Sequence, residues 1–286
     1  MSAARPLAPF GRRSAPVVAR ERHGAYIVLG CSDPRGLLPA PGQFYMLAAE
    51  TRWGGGAEER PFLPRAFSVL RAAQDPAGAL ELQFLIEDVG PGTKRLGELG
   101  PGDGLLLVGP LGKGFEPPRD GRRPLLVGGG VGIAPLAILQ DRMVADTTAL
   151  LGFRDGAHAE GAALLRGARV ATEDGSVGHD GLVTDLLFRE LRDGAEQIEV
   201  YACGPPAMLE AVRSICAEHG VPVQLALESA MACGFGACFG CVVPTRDGYV
   251  RLCLEGPVLD GASLDVVGDR APPPRSRPHI SASGVR

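Results

Sequence analysis

Leu125-Leu126-Val127-Gly128-Gly129-Gly130-Val131-Gly132-Ile133-Ala134-Pro135 is the stretch on which the fold of this chain turns. A short apolar run leads into a glycine turn and then into the start of a helix around residues 135–144. A strand, a glycine turn and a helix N-terminus together let the backbone approach a dinucleotide pyrophosphate, because free N–H groups face it with no Cβ in the way. The motif is not a full G-x-G-x-x-G, since Ile133 stands at the third glycine position, and on this stretch alone an ordinary tight turn stays open as a reading. Gly128, Gly130 and Gly132 are the candidate dinucleotide contacts.

On the C-terminal side, Ala149–Phe153, Arg169–Thr172, Ile198–Cys203 and Val223–Leu227 read as strands, with helices near 182–191 and 206–218. That alternation predicts a parallel α/β domain over residues 121–228. On the N-terminal side the pattern changes. Ala25–Leu29, Phe44–Leu47, Phe67–Leu70, Leu80–Ile86 and Leu105–Val108 are short apolar runs separated by Gly and Pro turns, the signature of a small β-barrel over residues 16–115. Glu50–Pro61, with Gly54-Gly55-Gly56 and several charges, has no periodicity and reads as a loop on the barrel rim. The expected fold class is therefore multi-domain, β followed by α/β.

Beyond the α/β region, Cys233, Cys238, Cys241 and Cys253 fall in the order C-x4-C-x2-C-x11-C, the plant-type spacing for four thiolates around a [2Fe–2S] cluster. Gly and Ala are interleaved with the first three, so the loop can wrap closely and aim N–H groups at sulfur. Cys253 sits in the strand-like run Tyr249–Leu254, after a turn at Asp247-Gly248. A four-cysteine zinc knuckle competes with this reading, but zinc ligands usually come as two short hooks and only one pair here has the x2 spacing. A module over residues 229–268 is too small to hold a core without its metal group. Cys31 and Cys216 lie in apolar stretches and read as small buried hydrophobes.

With 286 residues, 45% of them hydrophobic, the chain has room for two or three domains. A net charge of −4 and a pI near 5.8 leave no basic footprint, which disfavours nucleic acid and anionic membranes as partners. Seven cysteines, four of them in metal-type spacing, fit a reducing compartment, and a cytoplasmic location is expected. The most apolar stretch, Pro124–Leu139, contains four glycines and is shorter than the roughly 20 residues of a spanning helix, so no membrane span is expected. Residues 1–20 are Arg-rich and free of acids, as in a transit peptide, but Pro6, Pro9 and Pro16 break the helix one would need. Residues 1–15 and 271–286, the latter with Pro272-Pro273-Pro274, are expected to be disordered tails.

Smaller motifs gain weight together. Arg65-Ala66-Phe67-Ser68 offers a cation and a hydroxyl at the opening of a barrel strand, where an arginine by itself is most often solvated. Gly90-Pro91-Gly92-Thr93-Lys94 has the composition of a pyrophosphate cradle. Gly109–Phe115 leaves the last barrel strand either as a linker or as a flavin edge. Tyr201-Ala202-Cys203-Gly204-Pro205-Pro206 ends a strand where open α/β sheets bind ligands, so Cys203 faces a nicotinamide ring or is simply a buried thiol.

Taken in order, these motifs resemble the ferredoxin-reductase superfamily, and within it the electron-transfer subunits of NAD-dependent dihydroorotate dehydrogenases. The likeness spans about residues 16–264. Its most specific part is Glu228-Ser229-x-Met231-x-Cys233-Gly234-x-Gly236-x-Cys238-x-Gly240-Cys241. The resemblance implies FAD held by Arg65, Ala66, Phe67 and Ser68, by Leu85, Ile86 and Glu87 on a second strand, and by Gly92 and Thr93 at the pyrophosphate turn. It implies NAD at Gly130 and Gly132, and a hydride-transfer wall at Cys203 and Gly204. Where the family usually has Arg-Pro-x-Ser and commonly a Tyr-Arg pair, this chain has Ala66 and Ile86-Glu87, so a cation is missing from the second strand.

The implied activity is that of an oxidoreductase subunit. Electrons pass from FMN on a separate catalytic subunit, through the cluster and FAD, to NAD in dihydroorotate oxidation for pyrimidine biosynthesis, within a heterotetramer. Hydrogenases, sulfur or sulfite reductases and ferredoxin–NADP transhydrogenases share these motifs and this cofactor chain. A regulatory or assembly module with a structural metal is the reading from a different class. Arg154 could meet a 2′-phosphate, while Glu173 and Asp174 could bond a ribose hydroxyl; the acidic pair and the family favour NAD.

Overall fold

The computed structural model describes residues 11–55, 61–74, 78–119, 121–143, 147–192, 194 and 197–264. Six strands, β1 (Arg13–His23), β2 (Tyr26–Asp33), β3 (Phe44–Ala49), β4 (Arg65–Gln74), β5 (Leu80–Glu87) and β6 (Gly104–Leu111), close into a barrel in the order β1-β2-β5-β4-β3-β6. A short helix, α1 (Pro91–Gly97), joins β5 to β6. Side chains alternate along each strand, and the inward set, including Leu29, Tyr45, Leu47, Phe84 and Leu107, fills the barrel.

Arg13, Ser14 and Ala15, expected within a disordered tail over residues 1–15, belong to β1. The first turns of this strand are held by burial of Ala15 and Val17 and by a buried ion pair, Arg13 Nη2 to Asp33 Oδ2 at 2.6 Å, with a further donation to the Gly109 carbonyl at 3.0 Å. A charge removed from water needs such partners, and the sequence around Arg13 carries no sign that Asp33 will supply one. Residues 1–10, the tail at 271–286 and residues 56–60 of the rim loop lie outside the described residues.

Gln43 ties the barrel mouth together, accepting from Ala40 N at 2.9 Å and donating to the Gly112 carbonyl at 2.8 Å while almost fully buried. Gln43→Ala leaves both groups unpaired and is expected to cost about 1–3 kcal/mol, read from the urea midpoint.

The second half contains helices α2 (Ile133–Arg142), α3 (Gly156–Ala159), α4 (Val183–Arg192) and α5 (Pro206–Glu218). Its strands are β7 (Arg123–Gly129), β8 (Thr148–Phe153), β9 (Ala168–Thr172), β10 (His179–Asp180), β11 (Ile198–Cys203), β12 (Val223–Ala226), a hairpin of β13 (Val242–Thr245) and β14 (Gly248–Arg251), and β15 (Val258–Asp260). The main sheet has the order β10-β9-β8-β7-β11-β12-β15, parallel except for β15. The α2 helix is apolar on every side because it is wedged between layers: Leu136 and Ala137 pack with Leu126 and Leu151 of the sheet, and Ile138 joins the barrel core. By contrast α4 buries only Val183, Leu186, Leu187 and Leu191 on one face.

Residues 229–264 do not stand wholly apart from the sheet. After the cysteine loop the chain returns as β15, pairing Leu225 with Leu259 and covering the edge of β12. Cys253 lies in a turn after β14 rather than within a strand, and Leu252 N donates to the Cys241 carbonyl at 3.1 Å.

Candidate functional site

The barrel wall opens where β4 and β5 part. Their ladder runs only from Val69–Phe84 to Gln74–Leu80, while Arg65–Ser68 pair with β3 and Leu85–Glu87 keep β2 as a partner. The seam leads into a cavity of about 500 Å³ lined on the barrel side by Arg65, Ala66, Phe67, Ser68, Leu85, Glu87 and Thr93. Its other wall is Val131 and Ala134 at the start of α2 and residues 227–231 leading to the cysteine loop. A mostly apolar slot with a few placed polar groups and one arginine suits a flat ring with a phosphate tail.

Two of the expected flavin contacts do not line this cavity. Ile86 points into the barrel core with no exposed surface, because alternation along β5 gives the cleft to Leu85 and Glu87. Gly92 lies under Arg65: a Cβ there would be 2.8 Å from Arg65 Nε, so the glycine lets the guanidinium lie against α1. Arg65 Nη1 donates to the Leu63 carbonyl at 2.6 Å, and the guanidinium sits 6.0 Å from the Trp53 ring centroid. Thr93 Oγ1 accepts from Val89 N and Gly90 N at 2.9 and 3.0 Å, shaping its own turn.

A second cavity of about 430 Å³ lies at the C-terminal ends of β7, β8, β9 and β11, where parallel sheets bind ligands. Gly129 and Gly130 line it, together with Tyr26, Glu87, Arg154, His158 and Glu173. Gly128 and Gly132 do not. A Cβ on Gly128 would meet Leu136 and Leu151 at 3.0 Å, and one on Gly132 would lie 2.5 Å from the Cys203 carbonyl oxygen, so both positions require close packing. Cys203 and Gly204 line neither cavity; Cys203 is buried beside Gly132, and a Cβ on Gly204 would meet Met208 and Gly129. Burial first, and then the charge of Glu228, push the Cys203 thiol well up, so it stays protonated at neutral pH. Glu228 is open to the first cavity, yet the protein crowded around its carboxyl raises its pKa through desolvation.

Glu87 lines both cavities and forms their common edge. Its Oε1 lies 3.0 Å from Arg154 Nη2 and 3.2 Å from His158 Nε2, bridging barrel and sheet. The cation missing from the second barrel strand is thus met by one from the other domain. Arg154 is committed to Glu87 and Asp155 rather than free for a 2′-phosphate, and of the acidic pair only Glu173 reaches the cavity. Tyr26 and His158 carried no signal in the sequence, because the Glu87 carboxylate beside them comes from a different strand from Tyr26 and a different half of the chain from His158, and Glu228 entered only as part of the cysteine-loop motif.

The cysteine loop packs on the barrel beside the first cavity; a Cβ on Gly234, at φ +78°, would strike Met46. The thiols form two contacting pairs, Cys233 with Cys238 and Cys241 with Cys253. Among the described residues, no three His, Cys, Asp or Glu side chains converge on one metal-ion position. Two contacting pairs suit the two irons of a two-iron cluster. Burial works against ionisation of Cys233, but the N–H groups of Phe235, Cys238 and Ala237 outweigh it and bring the thiol down to about 7. Gly240 N points at Cys238 Sγ at 3.4 Å and Cys253 N at Cys241 Sγ at 3.5 Å. Donors aimed at sulfur fit thiolate ligands.

A flavin-type barrel, a sheet with its ligand cleft at the strand ends and a four-thiol loop define a ferredoxin-reductase-like protein. The fold matches the structure of the NADH-dependent reduced ferredoxin-NADP oxidoreductase, studied for flavin-based electron bifurcation, with TM-score 0.71 and 26% identity over 90% of this chain and 92% of that one. It also matches a ferredoxin NADP+ reductase from Neisseria gonorrhoeae solved with FAD and NADP, with TM-score 0.55 and 20% identity over 77% and 93%.

Residues 228–265 match the iron-sulfur cluster binding domain of dihydroorotate dehydrogenase B. The chain is 38% identical to the dihydroorotate dehydrogenase B (NAD(+)) electron transfer subunit of Caldanaerobacter subterraneus, covering 79% of this chain and 87% of that one. It is 36% identical to the probable counterpart from Methanopyrus kandleri, over 87% and 94%. The chain belongs to this family of electron transfer subunits.

Proposed function

We propose that the first cleft binds FAD, the second binds NAD(H), and Cys233, Cys238, Cys241 and Cys253 ligate a [2Fe–2S] cluster, in an electron transfer subunit that serves dihydroorotate oxidation. The observation that carries this reading is spatial order: the cysteine loop packs on the barrel beside the first cleft, and Glu87 joins the first cleft to the second. When bound, the cluster supplies single-electron transfer and FAD links it to two-electron hydride chemistry. The chain's own residues position and insulate these groups.

Arg65 supplies positive charge for the flavin's phosphates, Ser68 and the parted β5 edge at Leu85–Glu87 offer hydrogen bonds to the ring, and Met231 and Phe67 cover apolar faces. Buried Cys203, packed on Gly132, backs the nicotinamide side without acting as a charged group. The loop N–H groups stabilise thiolate charge at the cluster. Phe235 and Phe239, 54% and 63% exposed on either side of Cys238, form the face on which an FMN-bearing catalytic subunit would dock in a heterotetramer. No helix among the described residues is long and apolar enough to cross a membrane, and we place the assembly in the cytoplasm.

The test is anaerobic purification with assay of FAD, iron and acid-labile sulfide, followed by mixing with an FMN-containing dihydroorotate dehydrogenase catalytic subunit. Dihydroorotate-dependent NAD reduction is expected only from the pair, and its absence with full cofactor loading would remove the pathway assignment. Arg65→Ala is expected to lower FAD affinity by about 10-fold, read from flavin retained on dialysis. The likeness to the ferredoxin-NADP oxidoreductase favours a second reading, the same cofactor chain on a bifurcating partner. Reduction of ferredoxin coupled to NADPH oxidation by a native complex would select it.

A further inference from the structure

Arg154 is the one lysine or arginine among the described residues lining the second cleft, whose other charged or titratable side chains are Glu87, Glu173, His158 and Tyr26. A nicotinamide dinucleotide brings a doubly negative pyrophosphate, and a cleft with two carboxylates and one guanidinium repels it unless that guanidinium is free. Yet Arg154 is held across the domain seam, Nη2 to Glu87 Oε1 at 3.0 Å, with Asp155 Oδ2 at 3.6 Å from Nε.

The two partners are not equally fixed. The Arg154 side chain is 60% exposed, whereas Glu87 is 17% exposed. Glu87 keeps His158 Nε2 at 3.2 Å, and His158 is itself pinned by Asp155 at 2.7 Å and by the edge of Tyr26 at 5.5 Å between ring centroids. The carboxylate is buried at the seam, whereas the guanidinium, which also meets His158 through Nη2 and Nε, is open to solvent. Across the cleft, the buried Tyr26 hydroxyl has no hydrogen-bond partner among the described residues and lies 4.0 Å from where a Cβ on Gly130 would stand, a second polar group facing the same place.

We propose that Glu87 competes with the dinucleotide for Arg154: it holds the guanidinium at the seam between the two clefts and yields it to the pyrophosphate when the nucleotide binds. This rests on the reading of the second cleft as the NAD(H) site. Binding then exchanges one ion pair for another, and the exchange loosens a contact between barrel and sheet, so occupancy of the second cleft is felt at the edge of the first.

The experiment is calorimetric titration of the FAD- and cluster-loaded chain with NAD+ and with ADP-ribose, which carries the pyrophosphate but no nicotinamide. Arg154→Gln is expected to weaken both by about 10- to 100-fold. Glu87→Gln is expected to tighten both by about 5-fold, and to have no such effect in the Arg154→Gln background. Where Glu87→Gln fails to load FAD, Glu87→Asp carries the same test with a smaller gain, because its shorter side chain withdraws from Arg154. Tightening that persists without Arg154 would mean simple repulsion, and weakening by Glu87→Gln would mean the pair must stay closed; either overturns the proposal. Ala207→Trp, exposed at the start of α5 in the cleft lining, separates this from the site itself. If it and Arg154→Gln both leave NAD+ binding unchanged, the reading of the cleft fails.

Discussion

Cys253→Ser is expected to strip the protein of iron and acid-labile sulfide by about 10-fold or more, and with it the visible absorption and reduced-state EPR signal of the cluster. Cys253 is fully buried, touches Cys241, and reaches the loop from beyond the β13–β14 hairpin, so it helps tie the two ends of the module together. Serine is a poorer ligand for iron and leaves a hydroxyl buried next to Leu252, which adds a desolvation cost. Because so small a module owes its order to its metal group, residues 229–257 are expected to become protease-sensitive while the barrel and sheet keep their far-UV signal. Cys216→Ala is the control: that thiol lies on the buried face of α5, outside the four-cysteine spacing, and iron should stay at the wild-type level. Full iron and sulfide in Cys253→Ser would withdraw Cys253 from the ligand set.

Gly132→Ala is expected to destabilise the sheet domain by about 3 kcal/mol, read from the urea midpoint. Gly132 has φ −62° and ψ −7°, an ordinary helical conformation, so propensity favours alanine by about 1 kcal/mol. Space decides against it. The new Cβ would lie 2.5 Å from the Cys203 oxygen and 2.6 Å from Gly204 N, both main-chain atoms held in β11 or just after it. Backbone in a central parallel strand cannot move aside as a side-chain tip can. Gly130→Ala runs the other way: φ is +54°, but nothing closer than the Tyr26 hydroxyl at 4.0 Å stands in the space. Its cost is expected to be only about 1 kcal/mol. A smaller loss at Gly132 than at Gly130 would show that β7–α2 packing does not limit stability.

The sequence by itself determined the classes of element and the chemistry of the cysteines. Short apolar runs broken by Gly and Pro specify barrel strands, the apolar run into Gly128–Gly132 specifies a parallel strand entering a helix, and C-x4-C-x2-C is carried by local spacing, which needs no fold to be read. Local rules also place Arg65–Ser68 on a strand edge that the structure opens.

What only the tertiary structure decided is which of several similar residues face a cleft. Gly128, Gly130 and Gly132 look alike in sequence, but one lines the cleft and two are packed against Leu136 and the Cys203 carbonyl. Alternation sets Ile86 and Glu87 on opposite sides of the barrel wall, and only the packing of the fold says which side is the core. Arg13 became the first residue of a strand because Asp33 neutralises it, and Glu87 found its cation in Arg154 of the other domain. The physical reason is common to all four cases. Burial and ion pairing depend on atoms brought together from distant parts of the chain, whereas strand and helix periodicity, turn geometry and ligand spacing are set by residues within a few positions of one another.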